Sequence, residues 1–287
     1  MASLAAMREP VSLGRDGISP RNFKRLAAYI YDETGIKMPP TKLTMLEGRL
    51  RRRVTATGLG SLDAYCCHVL GGDASAEERV HLINAVTTNK TDFFREPRHF
   101  DYLAQTILPQ YARERRRRVR CWSAACSTGA EPYTIAMVLD DFAERHGGPD
   151  YEILATDLDT NVLAAGIKGI YPDELLAPVP SALRQRYVLE RKDATRCDVR
   201  ICAELRAKVA FGRLNLMDAR YPIGEPVDMI FCRNVLIYFD KPTQKAVVSK
   251  LCDNLTSGGY LFLGHSESIA GFDLPLAPMA STVFRKH

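Results

Sequence analysis

Two acidic side chains are placed where a carboxylate could bind a ligand: Asp157 ends a predicted buried strand, and Glu131 lies in the first helical turn after another. Residues 119–137 begin as a buried strand, pass through small residues and continue as an amphipathic helix. Gly129 supplies a backbone conformation that residues with a Cβ reach only at a cost. A strand, turn and helix N-terminus of this kind binds the cofactor in open parallel sheets. The pattern predicts a nucleotide-binding turn.

The residues of this turn disfavour a phosphate ligand. It contains one glycine and neither the G-x-G-x-x-G fingerprint nor a P-loop. Glu131 would repel a phosphate but suits a ligand with a positive charge or with amine and hydroxyl donors. S-adenosylmethionine, a sulfonium with an α-amino group and no phosphate, fits this description. A second explanation stays open, because the helix dipole alone favours an acid in the first turn.

Asp157 ends the second predicted strand, residues 151–157. An acid at this position accepts hydrogen bonds from ribose hydroxyls, which S-adenosylmethionine and NAD share. The alternative is a cap on the next helix, although Asp159 or Thr160 stands closer to that role. The position supports an adenosyl ligand without choosing between the two.

Residues 87–97 are polar at first and then include Phe93 and Phe94. An ordinary interdomain linker is one interpretation. Adjacent phenylalanines beside Asn, Thr and Arg are better suited to lining a pocket.

The composition is that of a globular protein, with 46% hydrophobic and 25% charged residues among 287. There is no apolar run of membrane-spanning length and no signal-peptide pattern, so we expect a cytoplasmic protein without membrane insertion. Eight cysteines include no C-x-x-C, and six histidines include no i, i+4 pair. We therefore predict neither a disulfide framework nor a metal site.

Positive charge is concentrated near the N-terminus. Residues 1–60 carry eleven Lys or Arg against five Asp or Glu, which favours an acidic partner. Four predicted helices occupy the first ninety residues. On the second of them Arg49, Arg52 and Arg53 share a face, which predicts a positive ridge that recognises the partner. A solvated charged face is the alternative.

Strands then alternate with helices, and the chain ends in a hairpin-like pair of strands. This order predicts an α/β domain with a mixed, mostly parallel sheet. Residues 171–210 interrupt the alternation with prolines and short alternating stretches, which indicate a small antiparallel insertion. An exposed edge strand of this insertion could bind a peptide.

Four stretches together resemble one family, the CheR-type chemotaxis receptor methyltransferases: residues 88–96, 126–133, 211–216 and 230–239. The resemblance covers about residues 19–286. It implies a Rossmann-like methyltransferase sheet with an N-terminal all-helical domain and a small antiparallel β insertion. The expected parts are a loose tail (1–18), a helical receptor-recognition domain (19–90), a linker that contributes to the active site (91–100) and the cofactor-binding domain (101–287), with the insertion at about 172–207.

The resemblance also implies an activity. The family transfers the methyl group of S-adenosylmethionine to glutamate side chains on the cytoplasmic helices of bacterial chemoreceptors, leaving S-adenosylhomocysteine. Arg95 and Tyr238 would lie nearest the methyl group. Ala130 stands where the family usually has an acid. The expected cofactor contacts are Asn89, Thr91, Arg95, Glu131, Asp157, Asn215, Leu216, Arg233 and Asn234.

The expected partner is the cytoplasmic helical domain of chemoreceptors, with the protein acting as a monomer and binding no nucleic acid. Family members differ in whether the β insertion binds a receptor C-terminal peptide, and the sequence leaves both alternatives open. Two other functions are weighed against this one. The first is a methyltransferase with another acceptor, and the second is a signalling module that binds S-adenosylmethionine or S-adenosylhomocysteine. An NAD-dependent oxidoreductase is disfavoured by the missing glycine fingerprint.

Overall fold

The structure is a computed structural model that describes residues 17–190 and 198–287. It divides into two compact units, the first comprising residues 17–30 and 38–86 and the second residues 31–37 and the chain from Thr87 onward. The chain enters the second unit a few residues before the predicted boundary at residue 90. Most of the predicted tail (1–18), and residues 191–197 of the predicted insertion, lie outside the described residues.

Four helices make up the first unit, and their ends follow the sequence signals for capping. Gly58, in the left-handed conformation, ends the second helix. Ser61 accepts a hydrogen bond from the Ala64 N–H and begins the third. Ser75 accepts from the Glu78 N–H (3.0 Å) at the start of the fourth. The helices are α1 (Pro20–Thr34), which continues into the second unit, α2 (Leu43–Thr57), α3 (Leu62–Gly71) and α4 (Ala76–Val86).

The second unit alternates strands and helices, as predicted. Its helices are α5 (Arg98–Tyr102), α6 (Leu108–Arg113), α7 (Ala130–His146), α8 (Thr160–Lys168), α9 (Ser181–Tyr187), α10 (Ala203–Ala207) and α11 (Lys241–Asp253). Its strands are β1 (Arg118–Ala124), β2 (Asp150–Asp157), β3 (Ile170–Pro172), β4 (Val188–Glu190), β5 (Asp198–Ile201), β6 (Val209–Arg213), β7 (Val227–Cys232), β8 (Leu255–Leu263), β9 (Leu276–Ala280) and β10 (Val283–Lys286). A π-helical turn, Leu103–Ile107, joins α5 to α6.

Seven strands form the main sheet in the order β6-β2-β1-β7-β8-β10-β9. The first five are parallel, and β10 runs antiparallel to both β8 and β9. From β1 the chain moves to β2 on one side and later returns to β7 on the other. The strand order therefore reverses between β1 and β7, and an open sheet binds its ligand in the crevice at such a point. The predicted α/β fold is confirmed.

The insertion forms a separate antiparallel sheet in the order β3-β5-β4. Both outer strands are short, and each carries an exposed apolar side chain, Ile170 (47% exposed) on β3 and Leu189 (53%) on β4. The predicted antiparallel insertion is confirmed.

The core of the second unit lies on both faces of the main sheet. Trp122, on β1, is fully buried, and its indole N–H donates to Thr156 Oγ1 on β2 at 2.9 Å. This bond satisfies the one polar group of the largest buried side chain. Within the part of the chain that the structure describes, no helix is both long and apolar enough to cross a bilayer.

Candidate cofactor and active site

A cavity of about 990 Å³, counted with its open mouth, lies at the carboxyl ends of three parallel strands. Its wall includes the residues that directly follow β1, β2 and β7, namely Ala125, Leu158 and Arg233. Tyr238 lines it as well, and so does every expected cofactor contact: Asn89, Thr91, Arg95, Glu131, Asp157, Asn215, Leu216, Arg233 and Asn234. The fold thus brings the expected residues to one place, and their individual roles stay predictions.

The turn between β1 and α7 has a backbone shape that small residues adopt most readily. Ala125, Ser127 and Gly129 have positive φ angles of 61°, 52° and 93°. A Cβ on Gly129 would lie 3.0 Å from the Tyr171 hydroxyl oxygen and 3.2 Å from the Gly166 Cα. The tight turn predicted at Gly129 is therefore required by its backbone angle and by packing against α8.

Asp157 connects the loops that follow β1 and β2. Its Oδ2 accepts from the Ser127 N–H at 2.8 Å, and its Oδ1 accepts from the Asp159 N–H at 2.9 Å. Burial raises the pKa of this carboxyl. A carboxylate has about four acceptor sites, so these bonds leave capacity for ribose hydroxyls. Capping of α8 belongs to Asp159, which accepts from the Asn161 N–H at 2.8 Å.

Asn89 is held against the same two loops. Its side-chain amide donates to Asp159 Oδ2 at 2.7 Å, and its backbone carbonyl oxygen accepts from the Ser127 hydroxyl at 2.9 Å. The Thr87 hydroxyl also bonds to Asp159 Oδ2, at 3.0 Å. These contacts fix the start of the 87–97 run in the cavity wall, so this run lines a pocket. Phe93 is fully buried in the core.

Glu131 and Arg233 form a buried ion pair in the wall of the cavity. Arg233 Nη1 donates to Glu131 Oε2 at 3.0 Å, and the side chains are 2% and 13% exposed. The Ser123 hydroxyl donates to Glu131 Oε1 at 2.6 Å. Burial raises the pKa of the Glu131 carboxyl, and the charge of Arg233 opposes this shift. Glu131 therefore has defined partners inside the protein as well as its place in the first turn of α7.

Arg233 also binds Glu96, which sequence analysis did not select. Its Nη2 donates to Glu96 Oε2 at 3.1 Å and to the Arg95 carbonyl oxygen. Burial opposes ionisation of Glu96, but the hydrogen bond from Asn234 and the charge of Arg233 lower its pKa to about 2. One buried guanidinium thus lies between two carboxylates and fixes the backbone at Arg95.

Glu267 is a second acid that sequence analysis missed. It is 5% exposed and accepts three backbone N–H bonds, from Asn234 (3.0 Å), Leu236 (2.7 Å) and Gly264 (2.6 Å). Asn234 itself has a positive φ of 59°. Glu267 therefore shapes the loop that leads from β7 to Tyr238.

Arg95 and Tyr238, the residues expected nearest the methyl group, are both partly buried in the cavity wall. Arg95 Nη1 donates to the Lys90 carbonyl oxygen at 3.0 Å. Tyr238 ends a short 3-10 turn, Leu236–Tyr238, and its carbonyl accepts from the Lys37 N–H at 3.3 Å. Each of these hydrogen bonds involves a backbone carbonyl oxygen, that of Lys90 for Arg95 and that of Tyr238 itself.

The side chain of Asn215 forms hydrogen bonds with the backbone of two other residues. Its amide donates to the Glu33 carbonyl oxygen at 2.7 Å, and its Oδ1 accepts from the Met217 N–H at 3.0 Å. Leu216 is buried beside it. The side chain of Asn215 thus attaches residues 31–37 to the cavity wall.

Two family models match almost the whole chain. The CheR methyltransferase S-adenosylmethionine-binding domain matches residues 89–284, and the CheR methyltransferase all-alpha domain matches residues 21–87. The chain belongs to the CheR methyltransferase family. The cavity lies in its S-adenosylmethionine-binding domain, and S-adenosylmethionine is its cofactor.

Several bacterial proteins that are similar to this chain are named chemotaxis protein methyltransferases. The chain is 38% identical to chemotaxis protein methyltransferase 2 of Pseudomonas aeruginosa, with 92% of each chain covered. It is 39% identical to the Klebsiella aerogenes chemotaxis protein methyltransferase, with 93% of this chain and 90% of the relative covered. For the chemotaxis protein methyltransferase of Escherichia coli K12 the identity is 37%, with 94% and 92% covered.

The predicted arginine ridge lies on α2 of the all-alpha domain, and its three members differ in environment. Arg53 binds both oxygens of Glu78, at 3.0 and 2.5 Å, and the Tyr65 hydroxyl donates to the same carboxylate at 2.7 Å. Arg49 Nη1 donates to the Val86 carbonyl at 2.8 Å. Arg52 is exposed. Part of the charge on this face is therefore compensated inside the domain by Glu78.

Ala130 occupies the position at which the resemblance implies an acid. It is the first residue of α7, fully buried in the core. The methyl side chain supplies no polar contact here, so Glu131 is the only acid of this pair of positions.

Proposed function

We propose that this CheR family member transfers the methyl group of S-adenosylmethionine to glutamate side chains of chemoreceptors, giving glutamate methyl esters and S-adenosylhomocysteine. The observation that carries the proposal is the cavity at the strand-order reversal, which gathers all ten expected site residues. The names of the relatives support the chemotactic acceptor.

The cavity residues suit this cofactor. The carboxylates of Glu131 and Asp157 can accept from amine and hydroxyl donors, and Glu131 in the first turn of α7 disfavours a phosphate at the helix N-terminus. Asn89, Thr91, Asn215 and Asn234 would supply further polar contacts. Leu216 would supply an apolar one.

Bound S-adenosylmethionine supplies a methyl group on a positively charged sulfur, which a carboxylate oxygen can attack. A glutamate with an ordinary pKa of about 4.3 is ionised near neutral pH, so the site needs no general base. We assign to Arg95 and Tyr238 the orientation of the acceptor carboxylate. Arg233 would act indirectly, because it holds the Arg95 backbone and Glu131. Positioning and exclusion of water then supply most of the rate.

We further propose that the acceptor is recognised by α2. Clusters of glutamates on a receptor helix present negative charge, and Arg52, with Arg49 and Arg53 beside it, offers a complementary surface. Arg52 would carry most of this attraction because it is exposed, whereas Arg53 is bound to Glu78.

The antiparallel insertion is a second candidate contact. A receptor C-terminal peptide could pair with β4 or β3, since each is an outer strand of its sheet within the described residues. The exposed Leu189 would contact a side chain of a peptide paired with β4, and the exposed Ile170 would do so for a peptide paired with β3. In this proposal the protein acts as a monomer in the cytoplasm.

The test is the transfer of labelled methyl from S-adenosylmethionine to chemoreceptor-containing membranes, with release of methanol by alkali as the readout. Arg95→Ala should slow transfer about 100-fold, the usual effect of losing an electrostatic contact in an active site. Arg98→Ala is the matched control, because Arg98 is exposed, lies three residues away and does not line the cavity. It should leave the rate unchanged.

Binding of S-adenosylhomocysteine, measured by calorimetry, separates the competing functions. A protein that binds it but labels no receptor would overturn the chemoreceptor proposal in favour of another acceptor or a signalling module. Labelling that resists alkali would exclude a glutamate ester.

A further inference from the structure

Two histidines and a glutamate converge outside the cofactor cavity. His99 Nδ1 lies 3.7 Å from Glu96 Oε2, and His265 Nε2 lies 3.9 Å from the same oxygen. The three ligand atoms all lie within 4.8 Å of one another. None of the three residues lines the cavity. Among the residues that the structure describes, this is the one group of three or more His, Cys, Asp or Glu side chains with such spacing.

His99 is the member that requires an explanation. It is 1% exposed, and its Nδ1 has no hydrogen-bond partner. Its Nε2 lies 2.9 Å from Thr282 Oγ1. A ring proton on Nε2 can be donated to the Thr282 hydroxyl. In that tautomer the Nδ1 lone pair is directed towards Glu96 Oε2, 3.7 Å away, and a cation between the two atoms would bind both.

We propose that Glu96, His99 and His265 form a binding site for a divalent transition-metal ion such as Zn²⁺. Two imidazole nitrogens and one carboxylate oxygen are a common ligand set for zinc, with the fourth position left open. At metal–ligand distances of about 2.1 Å, tetrahedral ligand atoms lie about 3.4 Å apart. The distances of 3.7 and 3.9 Å to Glu96 Oε2 are within a few tenths of an ångström of that value.

The surrounding hydrogen bonds are those that hold metal ligands in place. Metal-bound histidines usually donate their other N–H to a protein oxygen, and Thr282 Oγ1, 2.9 Å from His99 Nε2, is placed to accept such a bond. The other Glu96 oxygen, Oε1, accepts from Asn234 Nδ2 at 3.1 Å and from the His265 N–H at 3.2 Å.

One charge works against the site. Arg233 lies 3.1 Å from the Glu96 oxygen that would bind the ion. Its second carboxylate partner, Glu131, offsets this charge. His265 is 44% exposed, so an ion can reach the cluster from solvent. A bound ion would connect the loop after β8 to the first turn of α5.

The experiment is a titration of the full chain, reduced and freed of metal, with Zn²⁺ by calorimetry and with Co²⁺ by visible absorption. We expect one equivalent to bind, with a Co²⁺ spectrum typical of nitrogen and oxygen ligands. His265→Ala should weaken binding at least about 100-fold, since loss of even an indirect partner costs 10- to 100-fold. His265 is exposed, so this variant should fold, and Trp122 fluorescence checks it.

His81→Ala is the matched control. The half-buried His81 lies 3.7 Å from the exposed Glu77, as a histidine–glutamate pair without a third ligand among the described residues, and its loss should leave Zn²⁺ affinity unchanged. The proposal is overturned if wild-type protein binds no Zn²⁺, in which case water fills the gap. Equal affinity in His265→Ala, or a Co²⁺ spectrum with thiolate charge-transfer bands, also overturns it.

Discussion

Replacing Arg233 with methionine should destabilise the α/β unit strongly. Its guanidinium is 2% exposed and lies 3.0 Å from Glu131 and 3.1 Å from Glu96. Methionine keeps most of the volume but removes the charge, so both carboxylates lose their buried cation. Breaking a buried ion pair from one side costs about 3–5 kcal/mol. Domains of this kind have total stabilities of about 5–15 kcal/mol, so a large part of the stability is lost.

The assay is urea unfolding followed by tryptophan fluorescence. Trp122 is the only tryptophan of the chain, and it lies fully buried on β1. Its emission therefore reports on the α/β unit and not on the helical one. Arg98→Met serves as control, since surface substitutions usually change stability by less than about 0.5 kcal/mol. The reasoning fails if Arg233→Met unfolds within about 1 kcal/mol of wild type.

A second substitution and a pH series test the charge argument itself. Glu131→Gln placed on Arg233→Met should recover about 1–3 kcal/mol, because it neutralises one uncompensated carboxylate. Burial already raises the pKa of Glu131, so the folded state binds this proton more tightly than the unfolded state. The contribution of Glu131 to the free energy of unfolding is therefore largest at low pH. It falls as the pH rises above the ordinary pKa of a glutamate. Loss of Arg233 removes the charge that opposes this shift, so the pKa of Glu131 rises further. The difference in free energy of unfolding between Arg233→Met and wild type should therefore shrink as the pH is lowered from about 8 to about 5. A constant difference would refute the electrostatic cause.

Three further predictions concern single positions. Gly129→Ala should cost about 1–3 kcal/mol by urea unfolding, since a φ of 93° strains a residue with a Cβ and that Cβ would lie only 3.2 Å from the Gly166 Cα; an unchanged midpoint would contradict this. Asp157→Asn should weaken S-adenosylhomocysteine binding about tenfold by calorimetry, the loss of one charge-assisted hydrogen bond. Arg53→Met should destabilise the helical unit by circular dichroism with S-adenosylhomocysteine binding unchanged, whereas Arg52→Ala should leave stability unchanged and lower receptor methylation and its salt dependence.

The features that could be predicted from sequence are those that local chemistry determines. Gly58 and Ser61 mark helix ends because a positive φ and an orphan backbone N–H need those residue types. Strand and helix alternation predicted the mostly parallel sheet, and the acid at the end of β2 predicted a cavity residue. The turn at Gly129 was predictable for the same reason, since its constraint is a backbone angle.

β9 was not predicted, and Pro278 within it explains why. Proline removes a backbone donor, so a proline-containing run reads as a loop. In the structure β9 lies at the edge of the sheet, where one side of the strand needs no partner. Its tolerance for proline follows from this edge position, which no local pattern reveals.

The buried acids were missed because their partners are distant in the chain. Glu96 and Arg233 are 137 positions apart, and Glu267 lies more than thirty positions from Asn234. Glu78 sits where a capping box would place it, yet its carboxylate binds Arg53, 25 positions earlier. Spacing rules describe neighbours on one helix or strand, so they do not find such pairs. The same limit applies to the three proposed metal ligands, which come from two segments 169 positions apart.

Glu131 shows what these distant pairs mean for the site. Its place in the first turn of α7 suited either a ligand contact or a favourable dipole, and the dipole contributes only about 0.3–1 kcal/mol. The buried pair with Arg233 is the stronger interaction, so it determines where the carboxylate points. Both oxygens already have partners, Ser123 and Arg233. A cofactor amine would therefore meet a carboxylate that is already ordered, and binding avoids the cost of about 0.5–1.5 kcal/mol for immobilising a free side chain.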